Sequence, residues 1–279
     1  MRRVWVIGVL MGCQEQDFRG TQGRSIAVVT GDFDDVAEPL DRLLLDHTPY
    51  DGIISNAVWD PAYDSASAQL TIEGLFADSG ELGQHGWLFV ASGARGLGGT
   101  VYNGVAPDNQ LVDNPAVQGR IVDYVNRGNT LVVTDWAYDL VEACWPDAVD
   151  FLGDDTTRDE AQLGEVETVI ADVTDDRLEE TTGNTQLSIH YNFSNWAVIR
   201  GISSDVDVWL RGDVHWRTPS DGSVQRLVDA PLLVSFTPEG GTGRVVVATF
   251  HLDAQNDPVA DEITNTVFGP FFVVSEEDP

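Results

Sequence analysis

The segment SIAVVT-GDFDD-VAEPLDRLLLD (residues 25–46) decides the predicted fold. Its first six residues form a short β-branched run, which is typical of a buried strand. The next five residues contain glycine and aspartate and predict a turn. Leu40, Leu43 and Leu44 then recur at helical spacing behind Asp35, a residue type that commonly caps helices. A strand, a turn and a helix therefore follow one another.

The same alternation continues along the first half of the chain. Elements of this kind are predicted at 50–55 (strand), 69–77 (helix), 87–91 (strand), 115–126 (helix) and 131–134 (strand). A long loop rich in Gly, Asn and Asp is predicted over 97–114. Strands that alternate with helices form a parallel sheet with helices on both faces. Because crossovers are right-handed, the α/β topology narrows to flavodoxin-like arrangements.

The pattern changes near residue 165. Residues 165–217 read as strands and loops, and they predict a β-rich antiparallel insertion. Two apolar runs, 231–236 and 244–250, flank a glycine-rich turn and predict a C-terminal β-hairpin. A last helix is predicted over 257–268. Since no linker or repeat divides the chain after residue 25, we predict one α/β domain over 25–274.

The first thirteen residues, MRRVWVIGVLMGC, have the layout of an export signal. Their apolar run has nine residues, whereas a membrane-spanning helix needs about 20. The ending Leu10-Met11-Gly12-Cys13 resembles the bacterial lipobox, which implies cleavage of 1–12 and lipidation of Cys13. Residues 13–24 would then be a tether between the domain and the membrane. The alternative is an N-terminal core strand with a chance cysteine.

This resemblance implies an exported protein, anchored by lipid to the bacterial cell envelope and compatible with the outer membrane. The formal charge of −31 arises from 46 acidic and 15 basic residues. So acidic a surface repels phosphates, and we predict no nucleic acid partner. Acidic clusters at 32–35 and 154–160 leave weak binding of divalent cations open. No EF-hand pattern occurs, and we predict neither a metal nor a cofactor.

Candidate chemistry follows three of the predicted strands. The residues concerned are Ser92, Gly93 and Ala94 after the third strand, Asp135 and Trp136 after the fourth, and His251 and Asp253 after the hairpin. In order and spacing these segments resemble class I glutamine amidotransferase-like domains, over about residues 25–274. The resemblance implies an oxyanion-type loop at 92–94, a nucleophile turn at 135, and a base with its orienting acid at 251 and 253.

The chain departs from that family at the nucleophile turn. The family has a cysteine in a G-I-C-x-G turn, where this chain has Asp135. Cys144 lies nine residues downstream and is too far along the chain to occupy the turn. Because a carboxylate cannot form the thioester of a glutaminase, amidotransferase activity is not expected. Whether the chain is an enzyme at all stays open.

Three functions remain. The first is a non-catalytic domain that binds an unknown small molecule or an envelope protein through 92–94 and Trp136. It requires a concave pocket at the strand ends, lined by Ser92, Asp135 and His251. The second is a hydrolase, which requires Asp135 and His251 within hydrogen-bond reach or bridged by one water or a metal. The third is an envelope scaffold, in which the 97–114 loop or tryptophans fill the pocket. Asp135 could also be an ordinary helix N-cap.

Overall fold

The computed structural model describes residues 25–52, 71–77, 79–94, 111–153 and 161–268. The predictions for the export signal, Cys13 and the tether lie outside these residues. So do most of the 97–114 loop and the acidic cluster at 154–160. Among the described residues, no helix is long and apolar enough to cross a membrane.

Five parallel strands form one half of a nine-stranded sheet, in the order β2-β1-β3-β4-β11. Their bounds are β1 Ser25–Val29, β2 His47–Tyr50, β3 His85–Val90, β4 Thr130–Thr134 and β11 Arg244–Ala248. This is the strand order of flavodoxin-like folds. It confirms the predicted fold class, and it places the reversal of strand order between β1 and β3.

The β-rich segment continues the same sheet beyond β11 with antiparallel pairing, in the order β10-β9-β6-β7. These strands are β6 Glu167–Val173, β7 Gln186–Tyr191, β9 Val206–Arg217 and β10 Val224–Phe236. A separate two-stranded sheet pairs β5 Val149–Phe151 with β8 Ile199–Ile202. The predicted hairpin is the β10–β11 pair, whose antiparallel register joins Phe236 to Val245.

Helices cover both faces of the parallel half. The helices are α1 Ala37–Arg42, α2 Ile72–Ala77, α3 Ser79–Leu82, α4 Pro115–Asn126, α5 Tyr138–Cys144, α6 Asp176–Thr182 and α7 Asp257–Phe268. Successive strand residues point to opposite faces. Thus Leu131 and Val133 lie in a core with Ile121 of α4, and Val132 lies in a second core with Ile263 of α7.

Several elements differ from prediction, and α3, α5 and β5 were not predicted at all. The first helix ends at Arg42, and Leu44 takes a positive φ of 56°, so the chain reaches the sheet early and β2 precedes the strand expected at 50–55. Helix α6 was not expected, because Leu178 is its single buried residue and gives no apolar period. Its start is instead capped by Asp175, and it ends at Gly183 in the left-handed region.

Candidate functional site

The site lies where β4 and β11 end side by side. The register pairs Ala248 of β11 with Thr134 of β4. Asp135 follows Thr134 directly, and His251 follows Ala248 by three residues. The carboxyl ends of adjacent parallel strands lie at one edge of a sheet, so these two side chains converge although they are far apart in sequence.

Asp135 occupies a strained turn. Its φ is +39°, a region that few residues other than glycine adopt, and its side chain is buried. A short 3₁₀ segment then leads into α5, whose N-cap is Ala137 with no side-chain cap. Asp135 is therefore not the N-cap of that helix. Backbone strain of this kind is often retained at functional sites.

Both oxygens of Asp135 are engaged. Oδ1 accepts a hydrogen bond from the Ala197 backbone N–H at 2.7 Å. Oδ2 lies 3.0 Å from His251 Nε2 and accepts a longer contact of 3.4 Å from the Ser92 hydroxyl. On its other side, His251 Nδ1 lies 3.0 Å from Asn192 Oδ1. Asp135 and Asn192 thus hold the imidazole from both ends.

The surroundings of His251 favour its protonated form. Burial alone lowers the pKa of the imidazole, but its hydrogen bond to the Asp135 carboxylate and the charges of Asp135, Asp34 and Asp253 outweigh burial and raise the pKa above the ordinary value. Both contacts of the ring are with oxygen acceptors, and an imidazolium donates to both at once. The ring then has no free nitrogen to act as a base.

The loop predicted as an oxyanion site is used within the fold. The Ser92 N–H donates to Thr134 Oγ1 at 3.0 Å, and the Ala94 N–H donates to the Ala91 carbonyl at 3.3 Å. Gly93 has a φ of +83°, and its carbonyl accepts from the Asp32 N–H. The N–H groups of Ser92 and Ala94, expected from the sequence to face an oxyanion, are thus engaged within the protein.

Three aromatic rings pack against one another next to the Asp135–His251 pair and are called the aromatic cover. Phe33 meets Trp136 edge-on at a centroid distance of 5.0 Å and meets Phe193 at 6.0 Å. Phe193 in turn lies 5.6 Å from the His251 ring. The Trp136 indole N–H donates to the Asn195 carbonyl at 2.6 Å, which fixes this ring. Trp136 is therefore part of the aromatic cover, which contacts the His251 ring through Phe193.

An open cleft of about 440 Å³ lies beside this cover, next to the end of β1. Its walls include Phe33, Phe193, Asn192 and the carboxylates of Asp32, Asp34, Asp35 and Asp253. The volume falls in the range of small-molecule sites. Of the residues singled out from the sequence, Asp253 and the acidic cluster 32–35 line this cleft. Ser92, Asp135 and His251 lie together but are buried beside it.

Asp253 does not hold the imidazole. Its Oδ2 accepts from the Asp35 backbone N–H at 3.0 Å, and its Oδ1 is buried without a hydrogen-bond partner among the described residues. The orienting partner that the family resemblance implied is therefore replaced by Asp135 and Asn192. Asp253 acts on His251 through its charge.

Asp34 is a buried acid beside the cleft. Its Oδ1 accepts from the backbone N–H groups of Leu252 and Asp253 at 3.0 and 3.2 Å. Burial raises the pKa of this carboxyl to about 6, against the opposing charge of His251. The Thr134 hydroxyl is near enough to lower the pKa of Asp34, yet Oδ2 lacks a partner in hydrogen-bond geometry within the described chain.

Sequence reasoning missed Asn192, Ala197 and Phe193, all of which follow β7. The buried Tyr191 hydroxyl lies 2.8 Å from Thr249 Oγ1, and this contact brings the end of β7 over the site. No local motif indicates that crossing. Asp34 was singled out from the sequence only as a member of the acidic cluster 32–35. Its place after β1, at the reversal of strand order where ligands bind in open α/β sheets, is the stronger signal for a site.

Cys144 lies away from the strained turn, as the last residue of α5. Its Sγ lies 3.9 Å from the Gln118 carbonyl oxygen, and burial raises the pKa of the thiol to about 12. A thiol of this kind carries very little thiolate at neutral pH. It is a packing residue of the α4–α5 layer.

The fold is shared with solved structures at low identity. The N-terminal domain of mmIFT52 is 12% identical, with a TM-score of 0.52 over 88% of this chain and 97% of that one. A candidate GMP synthase component from Thermoplasma acidophilum is 11% identical, with a TM-score of 0.48 over 88% and 92%. PurLQS from Thermotoga maritima is 12% identical, with a TM-score of 0.47 over 88% and 100%.

At such identities the likeness is one of fold alone. No family model matches the sequence, and no curated protein matches it.

Proposed function

We propose that this chain is a non-catalytic, ligand-binding protein built on an amidotransferase-like fold. The observation that carries the proposal is the closed Asp135–His251 pair, with its 3.0 Å contact. Each reactive atom of the pair is already engaged by the protein. The open space lies beside the pair, in the cleft lined by Phe33, Phe193 and Asp253.

The engaged pair argues against the thioester chemistry of glutaminases. The turn that would present a nucleophile holds a carboxylate, and that carboxylate is tied to Ala197, His251 and Ser92. His251 donates from both nitrogens when protonated, so it cannot accept a proton. A base that accepts no proton and a nucleophile with no free oxygen support a structural role for the pair.

Activity is tested by incubating purified protein with glutamine and measuring ammonia. We expect no release above that of the His251→Ala variant. Glutamine-dependent release that disappears in this variant would overturn the non-catalytic assignment.

Binding is tested with a library of small fragments by thermal shift. A ligand at about 100 times its dissociation constant stabilises a protein by about 2.7 kcal/mol. We expect hits on the wild type that are lost in Phe193→Ala, which removes one wall of the cleft. Val228→Ala is the matched control, because Val228 is an exposed apolar residue outside the cleft. No hit, or hits unaffected by Phe193→Ala, would contradict the proposal.

A hydrolase that uses a water molecule is the second candidate. Its specific support is the distance between Asp135 and His251, which is within hydrogen-bond reach. This function requires the aromatic cover to open so that water and substrate reach the pair. Screening ester and amide substrates against the wild type and Asp135→Asn tests it, since a true activity would vanish in that variant.

We further propose that the protein is exported and anchored by lipid at Cys13, on the strength of the lipobox-like sequence 10–13. Several acyl chains together hold a protein firmly at a membrane. Expression in a bacterium with labelled palmitate tests this. We expect label and membrane fractionation for the wild type and neither for Cys13→Ser.

A further inference from the structure

The cleft and the groups behind it carry an excess of negative charge. Three carboxylates, those of Asp34, Asp135 and Asp253, act on the single imidazole of His251. Even with His251 protonated, the cluster is short of positive charge. None of the described residues that line the cleft is basic, and two further acids, Asp32 and Asp35, stand exposed at its rim.

Two oxygens of this cluster have no hydrogen-bond partner within the described chain. They are Asp34 Oδ2 and Asp253 Oδ1, and both atoms are buried. Asp34 is 3% exposed, so its carboxyl group is almost removed from water. An ionised carboxyl with one oxygen buried and unpartnered is costly, and proteins compensate such groups by protonation or by a bound cation.

The cleft suits an organic cation. Among the described residues, no group of three or more His, Cys, Asp or Glu side chains is arranged to hold a metal ion. Phe33 and Phe193 instead offer apolar rings beside the carboxylates, and they meet at a centroid distance of 6.0 Å. An ammonium group supplies three donors, and aromatic rings favour a neighbouring cation and its carbon chain.

We propose that the cleft binds the primary ammonium group of a small organic ligand, with Asp253 and Asp34 as its acceptors and Phe33 and Phe193 beside its carbon chain. This inference rests on the proposed ligand-binding function and names the chemical class of the ligand. The bound ammonium group supplies the positive charge that the cluster lacks.

The experiment compares three probes with the same carbon chain: butylamine, 1-butanol and butyrate. Each is titrated at neutral pH in 0.1 M NaCl, and the resonances of Phe33, Phe193 and His251 are followed by NMR. We expect saturable shifts with butylamine alone. Because a hydrogen bond to a charged group is among the stronger ones, Asp253→Asn should weaken this binding by about tenfold or more.

Asp205→Asn is the matched control, since it removes an equal charge from an exposed site outside the cleft. The affinity of Asp205→Asn for butylamine should stay within twofold of that of the wild type. Equal binding in Asp253→Asn would overturn the inference, because the amine would then follow only the general acidity of the surface. Asp34→Asn gives a second readout if Asp253→Asn does not fold.

The outcomes separate the two proposals. If 1-butanol, butyrate or library fragments shift the cleft resonances while butylamine does not, the cleft binds ligands and the inferred charge is wrong. If neither these probes nor the library shift them, the ligand-binding function fails as well.

Discussion

His251 Nε2 lies 3.0 Å from Asp135 Oδ2, although the two residues are 116 positions apart in the sequence. Each residue follows the end of one of two adjacent parallel strands. Both side chains are 4% exposed. A buried ion pair stabilises a fold only when its remaining donors and acceptors are satisfied. Here Asn192 and the Ala197 N–H satisfy them. The pair therefore ties the antiparallel half of the sheet to the ends of β4 and β11.

Asp135→Asn should lower the pKa of His251, because the variant removes the acceptor charge that offsets burial. A raised imidazole pKa contributes stability that is fully present below the unfolded value and is lost as the pH rises through the folded pKa. The free energy of unfolding of the variant should therefore be lower than that of the wild type by about 1–3 kcal/mol at pH 5.5, and by less at pH 8. NMR titration of the ring and urea unfolding measure the two effects.

The control for this variant is Asp205→Asn, which should leave both quantities unchanged. Unchanged titration of His251 in Asp135→Asn would contradict the closed pair.

In the wild type, ionisation of buried Asp34 lowers the free energy of unfolding as the pH rises, and Asp34→Asn should remove this effect. Because burial raises the pKa of Asp34 to about 6, the folded state binds this proton more tightly than the unfolded state. Its contribution to the free energy of unfolding therefore falls as the pH rises from the unfolded value, about 4, through 6. Urea unfolding at pH 5.0, 6.0 and 7.5 measures the difference between wild type and variant.

The free energy of unfolding of Asp34→Asn should exceed that of the wild type by an amount that grows with pH. This difference should approach at most about 3 kcal/mol, since one pKa unit corresponds to about 1.4 kcal/mol. The groups that face Asp34 are His251 and Asp253, and both remain in the variant. A difference that shrinks with pH would show that Asp34 is ionised and compensated within the fold.

Gly31→Ala should force apart the segments that follow β1 and β3, which approach each other at Gly31 and Ser92. An added Cβ would lie 2.0 Å from the Ser92 carbonyl oxygen, which is backbone and cannot move without shifting the loop. We expect a loss of about 2–4 kcal/mol, as for other changes that force a packed backbone apart. Urea unfolding measures it, together with the His251 resonance.

Gly119→Ala is the matched control. Gly119 lies inside α4, and a Cβ there meets no heavy atom within 4 Å. Since alanine favours a helix interior over glycine by about 1 kcal/mol, this variant should be more stable than the wild type. If both variants had the same effect, the close approach of Gly31 to Ser92 would be refuted.

The convergence of Asp135 and His251 was accessible from sequence, because both follow strands of a predicted parallel sheet. The partners that close the pair were not accessible. Asn192 and Ala197 reach it through the way the antiparallel strands fold back over the sheet, which Tyr191 and Thr249 fix by a long-range contact. Local sequence patterns indicate where strands end. The position of Asn192 and Ala197 over the site depends instead on long-range packing between distant segments.

The bounds of the helices also fall into two groups, those that local sequence predicts and those that tertiary contacts decide. Helices α4 and α7 have twelve residues each and begin and end where their patterns predict. In contrast, α1 stops early because Leu44 turns into the left-handed region, and no glycine or proline marks that position. Short elements are decided by tertiary contacts more than by their own periodicity.

Cys144 should resist alkylation in the folded protein. With its pKa raised to about 12 by burial, only about one thiol in ten thousand is a thiolate at pH 8, whereas an ordinary cysteine is ionised in appreciable part. Iodoacetamide labelling, followed by mass spectrometry on a Cys13→Ser background, should therefore be slow in buffer and fast in urea. A small free thiol compound gives the reference rate. Rapid labelling of the native protein would show an accessible, ionised thiol and contradict the buried packing position of Cys144.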